Sequence, residues 1–126
     1  MIGKVRTHKD LDVWKQGIAL AKNVYRMTAG YPKEEMYGLV AQMRRAAVSI
    51  PSNIAEGAAR QGDKELIHFL YTALGSASEL DTQLEIAKEV SLGDQIKIDD
   101  VQRSVDQIAK VIQGLIRSVR QRIDSN

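Results

Sequence analysis

The chain has 126 residues, 44% hydrophobic and 27% charged, which suits one globular domain spanning 1–126 with a core of its own. It contains no cysteine, so disulfides, thiolate catalysis and cysteine-built zinc sites are excluded. A net charge of +2 is too small to mark a nucleic-acid binder by itself. No apolar run approaches the roughly 20 residues that span a bilayer. The first ten residues carry charge but no apolar core after it, unlike a secretory signal, so a cytoplasmic protein is expected.

Residues 1–6 read as a tail. Thr7-His8-Lys9-Asp10 has the form of a capping box, with Asp in place of Glu. A first helix follows over about residues 8–28, with Leu11, Trp14, Ile18, Ala21 and Tyr25 as its expected apolar stripe. Gly30 is expected to end it in a left-handed cap. Pro32 suits a first helical turn, so a second helix is expected over about 33–58. Its stripe is Leu39, Met43, Ala46 or Ala47, Ile50 and Ile54. The stripe stays in phase through Pro51, which predicts one proline-kinked helix, not two.

The third helix, about 63–90, has the cleanest repeat: Leu66, Leu70, Ala73, Ala77, Leu80, Leu84 and Ala87. Leu92-Gly93-Asp94 is a turn. The fourth helix, about 98–122, carries Ile98, Val101, Val105, Ile108, Ile112, Leu115 and Val119, with Asp99 and Asp100 marking its start. Four amphipathic helices joined by short turns predict an all-α, up-down-up-down bundle. The mean step of 3.5 residues predicts left-handed packing. Apolar residues off the stripes, among them Val13, Leu20, Val48 and Val111, either widen the core or leave an exposed strip that favours self-association.

No chemistry stands out. Di-metal bundles need two Glu-x-x-His pairs; Glu65-Leu66-Ile67-His68 supplies one, and the other histidine, His8, has Val5 three residues before it. There is no phosphate-binding glycine loop and no histidine placed to activate a serine. No enzyme activity, metal, cofactor or small-molecule substrate is expected.

Two polar stripes have short side chains: Gln42, Arg45, Ser49, Asn53 and Glu56 on the second helix, and Thr72, Ser76, Glu79 and Gln83 on the third. They either face water or meet in a packed seam, within one chain or between chains. In the seam, Arg45 and Glu79 are candidates for a buried pair. Charge is also uneven. Residues 1–62 carry ten Lys/Arg against five Asp/Glu, and residues 63–126 eight against eleven. Lys4, Arg6 and Lys9 form a basic arm. Arg103, Lys110 and Arg117 repeat every seven residues, followed by Arg120 and Arg122. Such cations suit phosphate contacts; they equally suit ordinary solvated helix surfaces.

Three segments together resemble a known family: Asp10-Leu11-Asp12-Val13-Trp14-Lys15, then Tyr31 to Leu39, then Gln42-Met43-Arg44-Arg45-Ala46-Ala47-Val48-Ser49-Ile50-Pro51-Ser52-Asn53-Ile54-Ala55-Glu56-Gly57. They look like the four-helix-bundle proteins encoded in intervening sequences of bacterial 23S rRNA genes. Ala73 to Leu84 resembles that family's third-helix motif. The resemblance implies a bacterial, cytoplasmic bundle that assembles as a homopentamer, as in related accessory proteins of diversity-generating retroelements, and associates with RNA or a ribonucleoprotein. The alternative is a protein-interaction module whose partner is a reverse transcriptase or another protein. Arg44, Arg45, Ser49, Pro51, Asn53, Glu56 and Glu79 are expected to serve packing and assembly.

Overall fold

The computed structural model describes residues 8–125. Four α-helices make up nearly all of it: α1 (Asp12–Thr28), α2 (Leu39–Ala59), α3 (Asp63–Glu89) and α4 (Gln95–Ser125). Short 3₁₀ turns at His8–Asp10 and Lys33–Glu35 precede the first two. Each helix packs on its neighbours in sequence, and α4 closes on α1. Paired residues run in opposite directions. Gly17 meets Pro51 while Thr28 meets Arg44, and Ser49 meets Ser76 while Gly57 meets Leu66. Arg122 meets Asp63 while Lys88 meets Asp99. The helices therefore alternate up and down around one core.

The expected stripes of α3 are buried throughout. On α4 only Leu115 is half-buried, with Ile116 filling the core beside it. The first helix departs from expectation. Leu20 is 2% exposed, and Val13, Gly17, Val24 and Met27 share its face. The expected residues Ile18 and Tyr25 are each 45% exposed. Both sets repeat at helical spacing, so periodicity alone does not choose between them. Pro51 does. A β-carbon at Gly17 would stand 3.0 Å from the Pro51 Cβ, so this glycine lets the two helices approach closely there. That contact turns Gly17 inward and Ile18 and Tyr25 outward, while Leu11, Trp14 and Ala21 of the expected stripe stay partly buried against the core. α2 itself is a single helix through Pro51, which is buried.

Helix ends also differ. The second helix begins at Leu39, because Gly38 at φ −111°, ψ −111° breaks from the 3₁₀ turn before it. The fourth begins at Gln95, earlier than expected. The Asp94 carboxylate accepts hydrogen bonds from the Ile96 and Lys97 amides at 2.9 and 3.3 Å, the bonding of an N-cap. Gly30 is not left-handed; the positive φ values are at Ser91 (56°) and Gly93 (79°), in the turn between α3 and α4. The Thr7 capping box lies outside the described residues.

The buried Tyr31 ring lies against Gly93, and its hydroxyl has no hydrogen-bond partner among the described residues. Burial raises its pKa above the ordinary value of 10.0. The unfolded chain ionises near pH 10, whereas the folded chain holds the phenol neutral to higher pH. This contribution to stability is therefore complete below about pH 10 and is lost as pH rises from there through the folded pKa. Tyr31→Phe deletes an unpaired buried hydroxyl. It is expected to change stability by under about 1 kcal/mol at pH 7 and to lose less stability than wild type at pH 10.5. Urea unfolding at both pH values checks this; an equal loss in both proteins would count against it.

Candidate nucleic-acid interface and polar seam

The two short-chain polar stripes meet between α2 and α3. Ser49 and Ser76 share a hydrogen bond of 2.8 Å between their hydroxyls. The Ser76 hydroxyl donates to the Thr72 carbonyl at 3.2 Å, so Ser49 is the donor to Ser76. Asn53 donates from Nδ2 to the Ser49 hydroxyl and to the Ser49 carbonyl, both at 2.8 Å. The network is a directed chain from Asn53 through Ser49 and Ser76 to the α3 backbone. Small side chains make it geometrically open, because they let the backbones draw together. One turn further along, Gly57 faces Phe69 and Leu66, where a β-carbon would stand 2.9 Å from the Phe69 Cβ.

Arg45 and Glu79 do not form the buried pair considered from the sequence. Both are exposed, with no ion pair between them, and they line opposite walls of an open cavity of about 480 Å³ with Gln42 and Ser49. Glu56 pairs instead with Arg60 at 3.1 Å, on the surface. Arg44 leaves the seam for the other side of α2. Its Nε donates to the buried Thr28 hydroxyl at 3.0 Å, and its guanidinium lies 4.6 Å from the Tyr25 ring centroid. Ile18 stands two turns from Tyr25 on α1, and Val48 one turn from Arg44 on α2. Both are exposed, so this face is a partly apolar strip organised around a stacked arginine.

The basic residues of α4 divide into two groups. Arg122 donates to Asp63 at 2.8 Å, and Arg120 donates to the Tyr71 hydroxyl at 3.1 Å. Both belong to the seam with α3, which Gln102 with Glu85 and Lys88 with Asp99 also bridge. The hydrogen bond to Asp99 raises the Lys88 pKa. Arg103, Lys110 and Arg117 lie on the exposed outer side of α4. Arg103 pairs with Asp100 one turn before it; Lys110 and Arg117 have no ion-pair partner among the described residues. Lys9 is exposed at the start of the chain's described part, whereas Lys4 and Arg6 lie outside it.

Antiparallel packing of α1 on α4 adds cations that the linear sequence separates widely. Ala19 and Arg26 line cavities between these helices. Lys15 and Lys22 lie at helical spacing with them, so Lys15, Ala19, Lys22 and Arg26 form one exposed edge. Across the groove stands Lys97, beside Asp100. Four cations thus flank one seam. Among the described residues, no side-chain hydrogen bond or ion pair joins α1 to α4, and Lys15, Lys22, Arg26 and Lys97 have no ion-pair partner. The spacing of Lys15, Lys22 and Arg26 was visible in the sequence. Their adjacency to α4 was not.

Among the described residues no three His, Cys, Asp or Glu side chains cluster as a metal site. His68 is exposed and makes an edge contact with the Phe69 ring at 5.1 Å between centroids. Among the described residues no helix is long and apolar enough to cross a membrane.

No curated protein matches the chain. Among solved structures, it is similar to a protein with unknown function from the S23 ribosomal protein family of Bacteroides thetaiotaomicron. The two are 20% identical, and the match covers 82% of this chain and 97% of that one with a TM-score of 0.75, a likeness of fold. Residues 9–114 match the family described as 23S rRNA-intervening sequence protein. That stretch takes in α1, α2, α3 and most of α4, so the chain belongs to the family of 23S rRNA-intervening sequence proteins.

Proposed function

We propose that the protein is a non-enzymatic homo-oligomer of the bacterial cytoplasm that associates with RNA or a ribonucleoprotein through the α1–α4 face. The observation that carries this reading is the cationic groove: Lys15, Lys22, Arg26 and Lys97 flank it without ion-pair partners among the described residues. Surface cations that are not neutralised locally are available to displace counterions from a phosphate backbone. The family's connection with 23S rRNA intervening sequences supports RNA as the polyanion. Self-association, as a pentamer, is supported by the exposed Ile18–Tyr25–Arg44–Val48 strip, since aromatic and arginine residues are enriched at interface centres.

The test is filter retention of structured RNA across a salt series, with wild type and a variant in which Lys15, Lys22, Arg26 and Lys97 are all glutamine. Wild-type binding is expected to weaken steeply with salt. The variant is expected to bind about a hundredfold more weakly, with a log–log salt slope shallower by about one for each contacting charge removed. Absence of RNA retention at low salt overturns the RNA reading. Salt-insensitive capture of a protein partner without RNA would favour a protein-interaction module. A monomeric mass in solution would remove the oligomer.

A further inference from the structure

We propose that the cavity at the Arg26 end of the α1–α4 groove receives an unpaired nucleotide of the bound RNA. The proposal rests on the RNA reading above and narrows it to RNA with a base free of the helix. The cavity has a volume of about 380 Å³, within the range of about 300–1,000 Å³ usual for ligand sites. Its chemistry is divided as a nucleotide's is. Buried Met27 and Val101 provide an apolar floor. Asn23 and Ser104 supply an amide and a hydroxyl at the walls, while Arg26 and Lys97 bring two cations without ion-pair partners.

A base presents a flat apolar face and a hydrogen-bonding edge; its phosphate presents charge. The first two match the floor and the Asn23 amide, and the third matches Arg26 and Lys97. Arg26 also offers a guanidinium plane of the kind on which splayed bases stack. The nearby carboxylate of Asp100 is paired with Arg103, which limits its repulsion of a phosphate. A continuous duplex would leave the floor unused. Its bases are stacked inside, and its deep major groove is closed to side chains. Phosphate contacts alone would need the cations and no cavity. A second cavity of about 210 Å³ shares Asn23 and Ser104 and continues the groove between Gln16 and Gln107. Those amides would face a flanking nucleotide. No side-chain bond crosses this seam, so filling it breaks nothing.

The experiment compares two RNA hairpins of equal length at one salt concentration, one with a single-nucleotide bulge and one fully paired. Wild type is expected to prefer the bulged hairpin by about tenfold, the effect of one stacked base. Ser104→Trp and, from the opposite wall, Asn23→Trp fill the cavity without changing charge. In each, the ratio of the two affinities is expected to fall to about one. Two variants on different helices guard against a local folding defect, which circular dichroism melts would reveal. Equal wild-type affinity for the two hairpins overturns the proposal and leaves the RNA reading standing. So does a preference that survives in both folded variants. Retention of neither hairpin defeats the RNA reading itself. Saturable binding of free AMP, lost in both variants and without any bulge preference, also overturns the assignment to RNA.

Discussion

Gly93→Ala is expected to destabilise the bundle by about 3 kcal/mol and to lower its melting temperature by about 10 °C. Two costs add. Gly93 has φ 79°, a left-handed conformation in which a β-carbon collides with the following carbonyl, at about 1–2 kcal/mol. The added carbon would also collide with the Tyr31 ring at Cε1 and stand 2.6 Å from its Cζ. The Tyr31 ring is rigid and buried, so it must leave its slot or drag the turn with it. Tyr31 precedes α2, and Gly93 links α3 to α4, so the contact pins one end of the bundle. Gly30→Ala is the control. Gly30 sits just after α1, has no positive φ and would meet nothing within 4 Å. Its variant is expected to melt within about 2 °C of wild type. If both variants melt alike, the Tyr31–Gly93 contact is not what fixes the turn.

The second large effect is expected on α1. Leu20→Ala removes a side chain that is 2% exposed, at a cost of about 3 kcal/mol for transfer and cavity together. Ile18→Ala, two residues away, is expected to cost under about 1 kcal/mol within the subunit, because Ile18 already meets solvent. Urea midpoints over a range of protein concentrations separate the two. The Leu20 variant is expected to shift at every concentration. The Ile18 variant is expected to shift only where its mass in solution also changes, as loss of an interface contact requires. Equal costs in monomeric protein would mean that α1 presents the other face to the core.

That pair of residues also shows how far periodicity reaches. On α3 and α4 one apolar repeat stands against polar faces, so the buried side chains follow from spacing. α1 has two apolar stripes, and the one with the bulkier residues is only partly buried, with Ile18 and Tyr25 in solvent. A glycine interrupts the true stripe and conceals it, because Gly17 contributes contact with Pro51 and almost no hydrophobic surface of its own. The capping residue of α4 was harder to choose for a related reason. Asp94, Asp99 and Asp100 are all plausible caps by type, and only the backbone hydrogen bonds to Asp94 decide between them.

The candidate site divides in the same way. The polar character of the α2 and α3 stripes was legible, and so was their spacing; their meeting is the Ser49–Ser76 hydrogen bond. Within the subunit Arg45 and Glu79 do not pair; both stand exposed on an open cavity. Among the α4 cations, a helical repeat could not separate those that hold α3 from those left exposed on the outer side. Arg120 and Arg122 find Tyr71 and Asp63 some 49 and 59 residues away along the chain.

By itself the amino-acid sequence determined four helices, their order, their short connections and most of the core. Those features depend on interactions over three or four residues, which local spacing records. Only the tertiary structure decided which face of α1 is buried, which arginines are structural, and that Lys15, Lys22 and Arg26 share a groove with Lys97. Those outcomes depend on packing between helices distant in sequence. They turn on single contacts such as Gly17 on Pro51, whose geometry no periodic pattern encodes.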